Sequence, residues 1–263
     1  AQISCGQRAA PGAIARVRIN AGTLEPRYKV IGCELWSNNP AFTAATAATG
    51  VTGVCGSGII EVIAEMYLAG VINQDGVIDG RLAERSDRIV ADGRTFSYVL
   101  HRGDVPLQIT QNDVRAIQLA KAALHAGIRL LMDHLGVERV DRIGLAGAFG
   151  SHIDPKYAMV LGMIPDCALD RVASVGNAAG AGARIALLDA TARTAIEDLV
   201  RRVEKIETAI EPRFQAHFIE AMAIPHKTAA YPELRKVVTL PEAKESAAQG
   251  ATRGRRGRRI TNP

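Results

Sequence analysis

The 263-residue chain lacks the sequence features that would place it in several large functional classes. No stretch is apolar for the length needed to cross a bilayer, because Gly or a charged residue interrupts every candidate, and the amino terminus has no charged segment leading into an apolar run. The four cysteines, Cys5, Cys33, Cys55 and Cys167, are irregularly spaced, with no CxxC pair and no run able to hold an iron–sulfur cluster. They read as reduced thiols, and a cytoplasmic setting is expected. The six histidines show neither HxxxH nor HExxH spacing, so no metal site is expected. GxxxxGK[ST] is absent, as is a GxGxxG with its downstream acid, which argues against P-loop and dinucleotide readings.

One charge is abundant, yet it is local. The five arginines of the terminal RGRRGRR (Arg253, Arg255, Arg256, Arg258 and Arg259) account for the whole formal net charge of +5, leaving the remainder near neutral. Such a tail, without interleaved aromatics, reads as a solvated end, and no nucleic-acid or membrane partner is expected.

With 48% hydrophobic and 22% charged residues, the chain is that of a globular protein. Alternating runs predict strands over residues 13–19 and 28–35, followed by the small-residue segment TAATAATGVTGVCGSG. Helical spacing of Ile59, Ile60, Ile63, Met66 and Tyr67 predicts a helix over 57–69, stopped by Gly70. Segments 94–100 and 106–109 read as a hairpin whose turn holds Gly103 and Asp104. Thr110 as N-cap and Asp113 three positions later open a long helix. Its predicted apolar stripe is Val114, Ile117, Leu124, Ile128, Leu131 and Leu135, and Gly136 ends it.

Two strand–glycine–helix units follow. DRIGL runs into AGAFGSHIDPKYAMVLGMI, with Asp154 as N-cap and Pro155 at the first helical position, and RVASV runs into GNAAGAGARIALLDA. Further helices are expected near 195–208 and 213–223. Beyond residue 230 the Pro spacing and compositional drift predict an extended strap and a disordered Arg-rich tail to residue 263.

A glycine turn between a strand and a helix lets the backbone approach a ligand and offers free helix-start N–H groups. Three such turns occur: Gly147 to Gly150, Gly176 to Gly182, and Gly53 to Gly58. Each alone is as well explained by tight helix-on-sheet packing.

Taken in order, AQISCGQRAAPGAI, TGVCGSGIIEVIAEMYLAGVI, ITQNDVRAIQLAKAALHAGIRLL, IGLAGAFGSHIDPKYAMVLGMIP and VGNAAGAGARIALL resemble the carboxy-terminal region of the reductive activators of corrinoid proteins, over about residues 1–230. That region is a ferredoxin-linked ATPase module of the sugar-kinase, actin and heat-shock-chaperone superfamily. The resemblance implies an α/β, ribonuclease-H-like, actin-like fold: a mixed sheet flanked by helices, with a small β-hairpin insertion at about 72–109. It also implies ATP with Mg²⁺, and a corrinoid protein or corrinoid methyltransferase system as partner, with a homodimer possible. A [2Fe-2S] cluster would lie in an upstream domain, and the function would be return of the corrinoid from Co(II) to Co(I).

By the same resemblance IGLAGAFGSHID matches the adenosine motif, with Gly147, Phe149, Gly150 and Ser151 flanking adenine and ribose. Gly176, Asn177 and Gly180, together with Gly56, Ser57 and Gly58, would complete the cleft. DxGT-type phosphate and metal segments do not occur here, so this piece by itself is expected to bind nucleotide weakly or not at all. No catalytic residue is assigned: Asp113 and Asp154 read as helix caps, and Glu61 and Glu65 as members of a solvated helix face. Two other readings stay open. Cys55 at a helix start could serve a thiolase-like acyl transfer with histidines drawn from His101, His125, His134 and His152. The long helix could make the chain a docking or dimerisation module.

Overall fold

In the computed structural model, strand β1 (Ala13–Ile19) occupies the span its alternation predicts. Residues 3–208 and 210–241 are described, except for the side chains of Ala148 and Phe149. β1 lies between antiparallel β2 (Pro26–Val30) and parallel β3 (Gly53–Val54), in the order β2-β1-β3. The second strand ends five residues short of its predicted limit. Gly32 adopts φ +92 and the chain turns, closed by the Cys33 amide donating to the Val30 carbonyl at 3.1 Å. The small-residue segment runs from a single helical turn, α1 (Phe42–Ala45), through turns over residues 46–49 to β3 and the next helix, and α1 sets Phe42 edge-on against Tyr28.

Helix α2 (Gly56–Leu68) packs on β1. Contact is so close at Gly58 that a Cβ there would lie 2.2 Å from the Ile14 carbonyl oxygen, which leaves glycine as the residue that fits. The expected solvated face of α2 is not solvated: Glu61 is 1% exposed and Glu65 is also buried. The reason is the sheet edge. Because β3 pairs with Ala13 and Ile14 alone, the next outward amides of β1 have no strand to receive them. The Val17 and Ile19 amides instead donate to Glu61 Oε2 and Glu65 Oε2, each at 2.9 Å, so two helix carboxylates finish the edge.

The insertion is larger than a hairpin. An Ile72–Ile78 bridge and a 3-10 turn over Gly80–Glu84 lead into an antiparallel sheet of β4 (Ile89–Asp92), β5 (Thr95–His101) and β6 (Leu107–Thr110). β4 was not anticipated. Its signal was the Asp92–Gly93 pair: Gly93 at φ +59 is the first central residue of a two-residue loop.

Helix α3 (Gln111–His134) opens with a complete capping box. The Asp113 amide donates to Thr110 Oγ1 at 3.1 Å, and the Thr110 amide donates to Asp113 Oδ2 at 2.9 Å. Its buried face departs from the predicted stripe. Val114 is buried, but Leu124, Leu131 and Leu135 are exposed, while Gln118, Lys121 and His125 are enclosed. What covers them is the backbone of residues 221–226, whose carbonyls need donors. Gln118 Nε2 donates to the Asp75 and Met222 carbonyls, both at 2.9 Å. Lys121 Nζ donates to the Ala223 carbonyl and, at 2.8 Å, to that of Pro225.

Strand β7 (Ile143–Ala146) runs into the single turn α4 (Gly147–Gly150), and α5 (Pro155–Leu161) begins as predicted, with Asp154 as N-cap. β8 (Val172–Gly176) pairs parallel with β7 and leads to α6 (Ala178–Leu188). α7 (Ala190–Val200) starts before the predicted 195 because Asp189 Oδ1 caps the Thr191 and Ala192 amides. It stops at Val200, before the charged stretch of the predicted helix ends. α8 (Phe214–Glu220) falls inside the expected 213–223.

The expected boundary at residue 230 does not separate a strap from the domain. Ile224, Tyr231, Leu234 and Leu240 belong to the same core as β1 and α2, and the chain here forms α9 (Pro232–Arg235). The Asp166 carboxylate fixes α9 by accepting from the Glu233 and Leu234 amides. The Arg-rich tail lies outside the described residues.

Candidate nucleotide site

The first two glycine turns meet at the carboxyl ends of β7 and β8, where Ala146 stands opposite Gly176. In open α/β sheets this is where ligands bind. Gly147 has φ +94 and Gly176 φ +69, conformations that side-chain-bearing residues rarely adopt. A Cβ at either position would meet no protein atom within 4 Å, so the backbone there borders open space. The turns are tied together by Ser174, whose hydroxyl lies 3.1 Å from that of Ser151 and accepts from the Gly176 amide at 3.3 Å. Ser151 in turn donates to the Gly147 carbonyl.

Asn177 caps α6: its Oδ1 accepts from the Gly180 amide at 3.0 Å. Gly180 is confined by this cap, since a Cβ would lie 2.6 Å from the Asn177 amide nitrogen. Gly150 is buried against the Leu145 backbone. Phe149 sits in the α4 turn, but its side chain lies outside those described. Ser174 was missed in the sequence. Gly182, expected as the end of the second turn, instead lies inside α6, needs no unusual φ, and a Cβ there would touch nothing. A polar residue near the end of a strand that precedes a glycine turn was the available signal for Ser174.

The third turn is engaged elsewhere. Gly58 is required by the Ile14 carbonyl, Gly56 begins α2, and Ser57 Oγ donates to the Ala15 carbonyl at 3.2 Å. Cys55 is buried with Ser57 Oγ 3.4 Å from its sulfur. Three of the imidazoles that an acyl transfer could recruit are committed to other neighbours. His101 bonds Tyr28, His134 faces Glu211, and His125 packs against His226.

The carboxylates weighed as water-polarising groups are also occupied. Asp113 receives the Ser4 amide and hydroxyl, both at 2.7 Å, besides its capping bond. Asp154 caps α5, and Glu61 and Glu65 close the sheet edge. Among the described residues, no group of three His, Cys, Asp or Glu could hold a metal ion, and no helix is long and apolar enough to cross a membrane. The open space at the two turns is bordered by the Gly147 and Gly176 backbone and by the Ser151 and Ser174 hydroxyls.

A parallel strand pair with glycine turns opening beside a helix start, a mixed three-stranded sheet and an antiparallel three-stranded sheet, with helices packed on them, make this an α/β domain. The family model described as the C-terminal domain of RACo, the ASKHA domain, matches residues 1–235, and the chain belongs to that family. A curated relative, "Corrinoid activation enzyme RamQ" of Eubacterium limosum, is 32% identical over 226 residues, covering 81% of this chain and 35% of that protein. A solved structure described as "Reductive activator for corrinoid,iron-sulfur protein" matches with a TM-score of 0.71 at 30% identity, over 86% of this chain and 34% of that one. The chain thus spans about a third of the length of these relatives.

Proposed function

We propose that this chain is the carboxy-terminal nucleotide-binding module of an ATP-dependent activator that returns a corrinoid cofactor from Co(II) to Co(I) on a partner corrinoid protein. The observation that carries the nucleotide assignment is the pair of glycine turns at Gly147 and Gly176, joined through Ser151 and Ser174 and bordering open space. The printed names of the two relatives support the corrinoid part. Bound ATP would supply, through its hydrolysis, the free energy for an unfavourable one-electron reduction. The electron would come from a [2Fe-2S] centre elsewhere in the activator.

On this reading the residues of the chain position rather than react. Gly147 and Gly176 would admit the adenosine to the backbone, Gly150 would keep the α4 turn close to β7, Ser151 and Ser174 would offer hydroxyls to the ribose, and Asn177 holds the α6 start in place behind them. Ser57 and Gly58 are fixed against β1 and, with Gly56 at the helix start, would act by setting where α2 lies. Four unpaired cysteines suit a reducing, cytoplasmic setting.

The test is isothermal titration with Mg·ATP and with ADP, of this chain and of a version extended to the length of its relatives. The extended protein is expected to bind both, and Gly147→Val to abolish binding, because a branched side chain would enter the open space and oppose φ +94. Absence of nucleotide binding by the extended protein would reduce the glycine turns to packing features. The alternative would then lead: a docking or homodimerising module, favoured by the exposure of Leu124, Leu131 and Leu135 along α3, with light scattering as its measurement.

A further inference from the structure

The outer face of β1 and β2 carries four cations on two paired strands. In the register, Arg16 stands opposite Lys29 and Arg18 opposite Arg27, so like charges face each other twice across one ladder. Such pairs oppose strand pairing. They persist here in a chain whose net charge is otherwise near neutral once the tail is set aside.

Trp36, the single tryptophan of the chain and half-buried, lies among them. Its ring centroid is 5.7 Å from the Arg18 guanidinium, 5.1 Å from that of Arg27 and 5.6 Å from Lys29 Nζ. Significant cation–π contacts occur about once per 70–80 residues, and three converge on this one indole. Below the face, Glu61 holds Arg16 and Arg18, each at 2.6 Å, and Arg18 is also stacked 4.7 Å over the Tyr157 ring, so two of the four cations are fixed in place. Most of the acidic groups nearby are already engaged: Glu65, buried beneath Arg18, accepts from the Ile19 amide and the Tyr157 hydroxyl. Glu34, itself fully exposed, reaches Lys29 at 3.3 Å, and Glu25 is bound to Arg88 at 2.6 Å. Two clefts flank the patch. One, of about 420 Å³, is lined by Arg18, Arg27 and Asn38, with Glu25 at its wall; the other, of about 460 Å³, by Arg16, Arg18, Lys29 and Trp36, with Glu34 as its acid.

We infer that this face is a docking surface for an acidic protein, whose Asp and Glu side chains enter the two clefts while its main surface covers Trp36. A flat indole with rigidly held guanidinium groups has the composition of an interface hot spot, and surplus like charge on one face steers an oppositely charged partner. A protein is favoured over nucleic acid because the patch presents one aromatic platform, whereas single-stranded chains are gripped by a succession of aromatics along a basic groove. The inference goes beyond the corrinoid reading and survives its failure, since it concerns the charge of the partner and not its cofactor.

The single tryptophan makes the test direct. Trp36 fluorescence of the full chain is titrated with decaglutamate, at about 0.02 M and about 0.3 M salt, with decathymidylate and ATP as comparison ligands. Decaglutamate is expected to change the emission saturably, with half-saturation rising roughly tenfold at the higher salt. Arg27→Glu with Lys29→Glu, which leaves both Glu61 pairs intact, is expected to remove the saturable change, with circular dichroism checking that the fold persists. No saturable change with decaglutamate, or an unaltered response in the double variant, would overturn the proposal. So would decathymidylate or ATP saturating the signal at lower concentration, which would make the face a phosphate site. None of these outcomes bears on nucleotide binding at Gly147.

Discussion

Helices α2 and α6 both follow a glycine turn after a strand, yet ten of the thirteen residues of α2 are buried and none of α6 is. α2 lies in a groove made by β1, α5 and the sheet edge, and each of its features is explained from within: Gly58 by a carbonyl, Glu61 and Glu65 by orphan amides. α6 and α7 present Ile185, Leu187, Leu188, Ile196, Leu199 and Val200 to the outside. The same local grammar thus serves two ends. Where the glycine turn meets backbone it is a packing device, and where it meets open space, as at Gly147 and Gly176, it is free to meet a ligand.

The sharpest way to break the packed half is Glu61→Ala. It leaves the buried Val17 amide without an acceptor and removes the charged hydrogen bonds to two guanidinium groups, which are themselves partly solvated, at a cost of up to about 3 kcal/mol. Urea denaturation is expected to show this fall, with Arg16→Ala far milder because its side chain is partly solvated.

A second, smaller effect probes the enclosed polar face of α3. Burial pushes His125 down to about 3, helped by the nearby His226, Lys121 and Arg129, and burial likewise lowers His226. Each imidazole binds protons more readily unfolded than folded. Its stabilising contribution is therefore complete above the unfolded value of 6.5 and is lost as pH falls toward the folded value. Between pH 6.5 and about 4.5 the His125 contribution alone is expected to remove roughly 2 kcal/mol. His125→Leu should flatten that slope in a pH series of denaturation curves, while a variant that keeps the wild-type slope would show that the imidazole is not the titrating group.

The smallest effect tests the open half from the other side. Gly182 lies within α6 with nothing near its missing Cβ, so Gly182→Ala should stabilise the chain by about 0.5–1 kcal/mol through helix propensity. If its glycine serves close approach of a nucleotide, the same change weakens Mg·ATP binding in the extended protein. Gain of stability with unchanged binding would move the ligand contact away from α6.

Much of this was legible from local patterns. β1, the limits of α2, the Thr110 capping box, the Asp154 cap and the stops at Gly70 and Gly136 each depend on a few adjacent residues whose chemistry admits one solution. The failures share a cause. The buried face of α3 was misread because apolar Leu124, Leu131 and Leu135 look like a core stripe, while Gln118, Lys121 and His125 do not. What reverses them is a segment about a hundred residues away whose carbonyls require donors. Glu61 and Glu65 were misplaced for the same reason, since nothing in α2 announces that the edge of β1 is open beyond Ile14. At the candidate site, Gly147 and Gly176 were visible as glycine turns, but the Asn177 cap was not anticipated, and the Ser151–Ser174 link depends on β7 and β8 being neighbours.

The order of the sequence by itself determined the α/β class and the position of the glycine turns, because caps, periodicity and backbone freedom are encoded within a turn or two of helix, while the family was visible through resemblance alone. Tertiary structure alone decided which of those turns face open space, which charges are interior, and that four cations gather around Trp36. Burial and pairing are properties of segments distant in the chain, and no residue carries the identity of its eventual neighbour.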